Sequence, residues 1–147
     1  MADFVAFWEL IGRDSLCVVT TTRADGSVQA TLVNAGVLAN PIGEGDLVAY
    51  VVRGDALKLR HLRERPGCTV TVRDGFEWAT VEGPTKIIGP DDPHPAVDPE
   101  RLRLLLREVF VAAGGDHDDW EAYDTAMADE RRAVVLVRPI RVYGITR

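Results

Sequence analysis

Leu47-Val-Ala-Tyr-Val-Val-Arg-Gly-Asp-Ala-Leu-Lys-Leu-Arg60 reads as a strand that runs straight into a helix. Leu47 to Arg53 is apolar at nearly every position, so both faces of this strand need cover. Gly54-Asp55 breaks the run, and Ala56 to Arg65 follows as a short helix, with Asp55 as the expected N-cap and Pro66 as the stop. Upstream, Leu16 to Thr22 is a β-branched strand, and Asp25-Gly26 is a strong hairpin signal leading into a long strand, Ser27 to Leu38. A Pro/Gly-rich turn, Asn40 to Asp46, returns the chain to the strand at Leu47.

The flanks extend this pattern. Phe4, Phe7, Trp8 and Ile11 mark one face of an N-terminal helix, Asp3 to Gly12. Strands follow Pro66 at Cys68 to Arg73 and Phe76 to Ile88, joined by a turn at Asp74-Gly75. Gly89 to Pro99 is a loop. Asp98-Pro99 then caps and opens a helix carrying Leu102, Leu105, Leu106, Val109, Phe110 and Ala113, which ends at Gly114-Gly115. Another helix spans about Asp118 to Glu130, and a last strand, Ala133 to Tyr143, is interrupted by Pro139. Sequential hairpins without repeated βαβ units predict a mainly β (α+β) single domain over residues 1–147, an antiparallel barrel with appended helices.

Composition narrows the function. The net charge of −6 argues against a general nucleic-acid binder, which needs a basic footprint. No apolar run reaches the roughly 18–20 residues of a membrane span, and the N-terminus has no basic n-region, so a cytoplasmic protein is expected. Cys17 and Cys68 sit in separate strands and read as reduced, buried thiols. Ser15 and Ser27 are the only serines, and neither lies in a G-x-S-x-G elbow. Both common nucleotide fingerprints are absent. Asp116-His117-Asp118-Asp119 reads as a cap with acidic residues in the first helical turn, since consecutive residues on a helix point around it. No metal site is expected.

The strand–helix junction holds the chemistry that remains. Only Lys58 and Lys86 are lysine among seventeen basic residues, and Lys58 lies where a Gly, a helix start and Arg60 converge. Unpaired N–H groups of a first helical turn with adjacent cations make an anion site, most often for phosphate. The competing reading is a plain cap by Asp55 with Lys58, Arg60 and Arg63 as a solvated face. Phe76 and Trp78, spaced by two, either wall a planar ligand or fill the core. Gln29 and Thr31 are polar residues inside an apolar strand, and their side chains need partners if buried.

Lys58-x-Arg60-x-Leu62-x-x-x-Pro66 after the third strand, Phe76-x-Trp78, Glu82-Gly83, and the run Gly115, Asp119-Trp120, Tyr123, Ala126-Met127, Arg131-Arg132, Val142-Tyr143-Gly144 together resemble the pyridoxamine 5'-phosphate oxidase-like split β-barrels. The similarity is greatest to the small actinobacterial reductases that use coenzyme F-420, a deazaflavin, and runs from about Leu10 to Gly144. Where relatives often carry Arg two residues before the Lys, this chain has Ala56. The resemblance implies an FMN-binding-type split barrel, homodimeric, with two cofactor sites at the subunit interface. It implies that Arg53, Gly54, Lys58 and Arg60 hold the cofactor phosphate, and that Gln29, Thr31, Leu32, Val33, Val51 and Val52 line the ring. Phe76 and Trp78 would approach from the partner subunit. The implied activity is hydride transfer from reduced F-420 to a small unsaturated or conjugated acceptor. FMN is the alternative cofactor, and a binding protein without turnover the alternative role.

Overall fold

The computed structural model describes all residues, Met1–Arg147. The elements in chain order are α1 (Phe4–Arg13), β1 (Leu16–Thr22), β2 (Val28–Ala39), β3 (Asp46–Val52), α2 (Leu57–Glu64), β4 (Gly67–Asp74), β5 (Glu77–Ile88), α3 (Pro99–Ala112), α4 (Trp120–Asp129), β6 (Ala133–Val137) and β7 (Arg141–Ile145). All pairings between strands are antiparallel. Six strands close a barrel in the cyclic order β1, β2, β3, β6, β5, β4, and β7 adds to the first half of β5.

Two corrections concern strand boundaries. The expected last strand, Ala133 to Tyr143, is two strands, because Pro139 has no N–H to donate and the chain changes partner there, from β3 and the end of β5 to the start of β5. The β4–β5 hairpin turns on Gly75-Phe76, with Asp74 paired to Glu77 and Gly75 at φ +62°. Phe76 therefore belongs to the turn and not to β5.

β3 explains why the chain has two cores. Val48, Tyr50 and Val52 face the barrel interior, where they meet Phe7 and Leu10 of α1, Leu59 and Leu62 of α2, and inward residues of the other strands. Leu47 and Ala49 face the opposite way, onto Leu105, Leu106 and Val109 of α3 and Tyr123 of α4. The near-continuous apolar run is thus covered on both sides, as its composition demands. Cys17 and Cys68 are free and buried, and burial pushes the Cys17 thiol up to about 12.

α3 can lie against the barrel because β2 carries Gly36 beneath its last turn. A Cβ at Gly36 would sit 2.4 Å from the Ala112 carbonyl carbon. No side chain fits without displacing the helix backbone. Gly36→Ala is expected to destabilise the protein by about 1–3 kcal/mol, the usual cost of overpacking, read as a lower urea midpoint at unchanged m-value. A midpoint equal to wild type would show that α3 is not held at this distance.

Candidate functional site

β2 and β3 pair only from Ala35↔Tyr50 to Ala39↔Asp46. Before Ala35, β2 pairs with β1 alone, and after Tyr50, β3 pairs with β6 alone. The two strands part at that point, and the gap between them opens into a cavity of about 610 Å³. Its floor is Leu32, Val33 and Asn34 of β2 with Val51, Val52 and Arg53 of the β3 end. Its opposite wall is Val109, Phe110 and Ala113 of α3 with Tyr123 and Met127 of α4. The volume falls in the ordinary range for small-molecule sites.

The aromatic wall is rigidly built. Phe110 lies 5.0 Å from Tyr123 and 6.1 Å from Trp120, ring to ring. The Tyr123 hydroxyl donates to the Leu106 carbonyl at 3.0 Å, and burial holds this phenol up to about 12, so it stays neutral. Asp124 accepts from Arg103 (2.9 Å) and from Arg107, joining α3 to α4. Within the Asp116–Asp119 run it is Asp119 that caps α4, accepting from the Ala122 N–H at 3.1 Å, so the helix starts two residues later than its expected Asp118.

One end of the cavity is basic. Ala56, Lys58, Arg53 and Arg132 meet there. The expected cap by Asp55 is absent: Ala56 occupies the cap position of α2 without a side-chain hydrogen bond, and the Asp55 carboxylate turns outward to the Arg53 Nε, 3.3 Å away. The amide end of α2 is left uncapped beside the cavity, which favours an anion. Glu130, at the C-cap of α4, accepts from Arg132 at 2.8 Å and lies 3.6 Å from Arg53. Lys58 has no hydrogen-bond or ion-pair partner, and burial lowers its pKa. It is the cation of the cavity lining with charge to spare.

Gly54 sets the position of this end. Its N–H donates to the Glu130 carbonyl at 3.1 Å, and a Cβ on it would come within 2.5 Å of the Arg131 carbonyl oxygen. Arg131 takes up a left-handed conformation at φ +49° and pairs with Asp91 through its guanidinium.

Six of the residues expected at the site line the cavity together: Leu32, Val33, Val51, Val52, Arg53 and Lys58. The others do not. Gly54 lies behind it against Arg131. Arg60 is exposed and outside the lining. Gln29 and Thr31 share the half-buried side of β2 with Val33 but lie beyond the cavity, and the Gln29 Oε1 is buried without a partner. Phe76 stands 87% exposed at a hairpin tip, so it shares no strand face with Trp78. Trp78 packs edge-on against Tyr143, ring centroids 6.2 Å apart. Sequence reasoning about the pocket missed Val109, Phe110, Ala113 and the Ser15–Asn34 pair, whose side chains hydrogen-bond at 3.1 Å. The apolar periodicity of α3 placed Val109, Phe110 and Ala113 on one face, yet nothing in that period says the face ends over a cavity.

No protein-family profile matches the chain. Over 124 residues it is 31% identical to the anthranilate phosphoribosyltransferase of Methylobacterium radiotolerans, a stretch covering 78% of this chain and 36% of that enzyme. The chain thus spans little more than a third of the length of that curated relative. Among solved structures, a conserved hypothetical protein of Mycobacterium tuberculosis superposes with a TM-score of 0.72 at 16% identity, covering 98% of this chain and 84% of the other. An F420 reductase matches with a TM-score of 0.62 at 16% identity, over 92% and 94% of the two chains. A pyridoxamine 5'-phosphate oxidase-related, FMN-binding protein of Nostoc punctiforme matches with a TM-score of 0.65 at 13% identity, over 98% and 84%. A heme-binding protein of Mycobacterium smegmatis and a heme storage protein of Vibrio cholerae share the architecture as well. The chain therefore has the split-barrel fold of the pyridoxamine 5'-phosphate oxidase-like proteins, one that carries flavin-type and heme binders alike. No helix is long and apolar enough to cross a membrane.

The α3–α4 wall yields a pH prediction. Hydrogen bonds from Arg107 and Arg103 hold the Asp124 carboxyl below its ordinary value. A depressed carboxylate stabilises the fold above its unfolded pKa of about 3.9, and that contribution is lost as pH falls through the lower folded value. Asp124→Asn should therefore lower the thermal midpoint at pH 7, and the gap to wild type should narrow as pH falls below the unfolded value of about 3.9. A gap that persists undiminished at pH 2.5 would mean the aspartate acts through packing rather than charge.

Proposed function

We propose that this chain binds a phosphorylated, planar redox cofactor in the cavity between β2 and β3, that the cofactor is coenzyme F-420, and that the protein is an oxidoreductase. The observation that carries this reading is Lys58, a half-buried ammonium with no carboxylate partner, beside the uncapped amide end of α2 at one end of a cavity walled by apolar side chains. A phosphate suits the first feature and a flat ring the second. Lys58 would hold the phosphate, with Arg53 in support. Leu32, Val33, Val51 and Val52 would lie along the ring. Because β2 and β3 are unpaired with each other here, backbone N–H and C=O groups at their facing edges are available to the ring's polar rim.

Bound there, F-420 would supply the hydride, and the protein's own part is to bind and orient it and to exclude water. Val109, Phe110 and Met127 make the far wall dry, which suits a small unsaturated or conjugated acceptor. No group in the lining is assigned as proton donor, since Tyr123 is committed to the Leu106 carbonyl.

A homodimer belongs to the same reading. The outer face of β1 and β2 exposes Leu16, Val18 and Leu32 together, with Val28 further along the same face, a patch suited to burial against a second copy. Phe76, at its hairpin tip, and Trp78 would then approach the partner's cavity.

FMN remains the second reading, and one observation favours it. Arg63 and Arg131, which could have formed a basic track for the polyglutamate tail of F-420, are occupied by Asp92 and Asp91. Titration of intrinsic fluorescence with F-420 and with FMN separates the two, and Trp120, packed on Phe110 and Tyr123, is a better reporter than Trp78. Micromolar F-420 binding is expected, weakened at least tenfold (about 1.4 kcal/mol) in Lys58→Ala. Equal affinity in the variant would remove Lys58 from the site, and FMN binding without F-420 binding would reverse the cofactor assignment. If bound reduced F-420 is oxidised by no conjugated acceptor in a panel, the protein is a cofactor binder without turnover.

A further inference from the structure

The basic end of the cavity contains a carboxylate that an anion site does not need. Lys58, Arg53 and Arg132 bring three positive charges to the lining. Glu130 answers two of them at once, accepting from Arg132 at 2.8 Å and lying 3.6 Å from Arg53. It is held firmly in place. Its backbone caps α4 through the Ala126 carbonyl, its own carbonyl receives the Gly54 N–H, and its side chain is 29% exposed. Asp55, on the outer side of Arg53, accepts from its Nε at 3.3 Å. Counting Glu130 and Asp55 against the three cations leaves a net charge of about +1 at this end, concentrated on Lys58.

That surplus suits one kind of phosphate. A terminal phosphate monoester, as in FMN, carries close to two negative charges at neutral pH. A phosphodiester, as in F-420, carries one on the same phosphorus. A second charge brought to this end would have to compete with the Glu130 carboxylate for Arg53 and Arg132, which that carboxylate already engages. We infer that Glu130 is a specificity-determining residue that makes this subsite accept a monoanionic phosphodiester and disfavour a dianionic phosphate monoester. It acts through Arg53 and Arg132 and does not itself line the cavity. The inference rests on the cofactor site proposed above but not on turnover or on the acceptor.

The test compares FMN with riboflavin, which differ only by the phosphate, so that their affinity ratio isolates the anion subsite. Both are titrated by fluorescence at pH 7.5 and low salt into wild type, Glu130→Gln and Glu130→Asp, with F-420 titrated in parallel. In wild type the phosphate should improve affinity by less than about tenfold. Glu130→Gln keeps an amide oxygen to accept from Arg132 but removes the charge, and should raise the FMN/riboflavin ratio by about tenfold, with F-420 affinity changing less than threefold. Glu130→Asp keeps the charge and should keep the wild-type ratio. A ratio unchanged in Glu130→Gln, or a wild-type ratio above about a hundred, overturns the inference. Wild-type measurements suffice for the second criterion should a variant fail to fold. Failure of both flavins to bind in wild type and Glu130→Gln also overturns it. If F-420 still binds in that case, the cofactor reading survives alone, whereas loss of F-420 binding sinks that reading whatever the flavin ratio shows.

Discussion

A strand that must be dry on both faces organises this molecule. With Val48, Tyr50 and Val52 on one side and Leu47 and Ala49 on the other, β3 cannot sit at a solvent boundary. The barrel closes over the first set, and α3 and α4 have to close over the second. Gly36 lets α3 approach β2 at backbone distance, and the Asp124 pairs with Arg103 and Arg107 hold α4 beside it. The cavity is what remains where this double cover stops. β2 and β3 separate after Ala35↔Tyr50, and the helices continue past the end of their ladder.

The end of the cavity joins parts of the chain that are distant in sequence. The β3–α2 junction and the α4–β6 turn meet through the Gly54 N–H and the Glu130 carbonyl, and through the Arg53 and Arg132 side chains around the Glu130 carboxylate. Arg131, held left-handed against Gly54, fixes the loop at Asp91 in the same motion. Positive charge is thus balanced around the junction except at Lys58 and at the exposed Arg60. In a protein of net charge −6, the positive potential at this end of the cavity is concentrated at one point.

Much of the fold was legible because the signals were local. The hairpin at Asp25-Gly26, the Asp98-Pro99 helix start and the two-faced apolar strand each depend on a few neighbouring residues, and each stands in the structure. The misreadings were also local. Asp55 looked like a cap because of its position, but its carboxylate turns to Arg53 and leaves the cap to Ala56. Phe76 looked like a strand residue because it alternates with Trp78, yet the tight turn needed it. Lys58 and Val51 to Arg53 line the cavity beside the strand–helix junction that the sequence encodes. Gln29 and Thr31 share the side of Val33 but lie beyond the cavity, since alternation gives the face of a residue and not how far a gap extends along it.

By itself the sequence determined a two-sided β-strand, a helix beginning within a few residues of its end, and a lysine in that helix's first turn. These follow from periodicity, glycine placement and side-chain chemistry, which act over a few residues. Tertiary structure alone decided which charges cancel. Arg53, Arg63 and Arg131 are as basic in the sequence as Lys58, but packing brings Glu130, Asp92 and Asp91 to them across gaps of up to 77 residues and brings no carboxylate to Lys58. Coulombic pairing depends on distance in space, and that distance exists only once the barrel has closed.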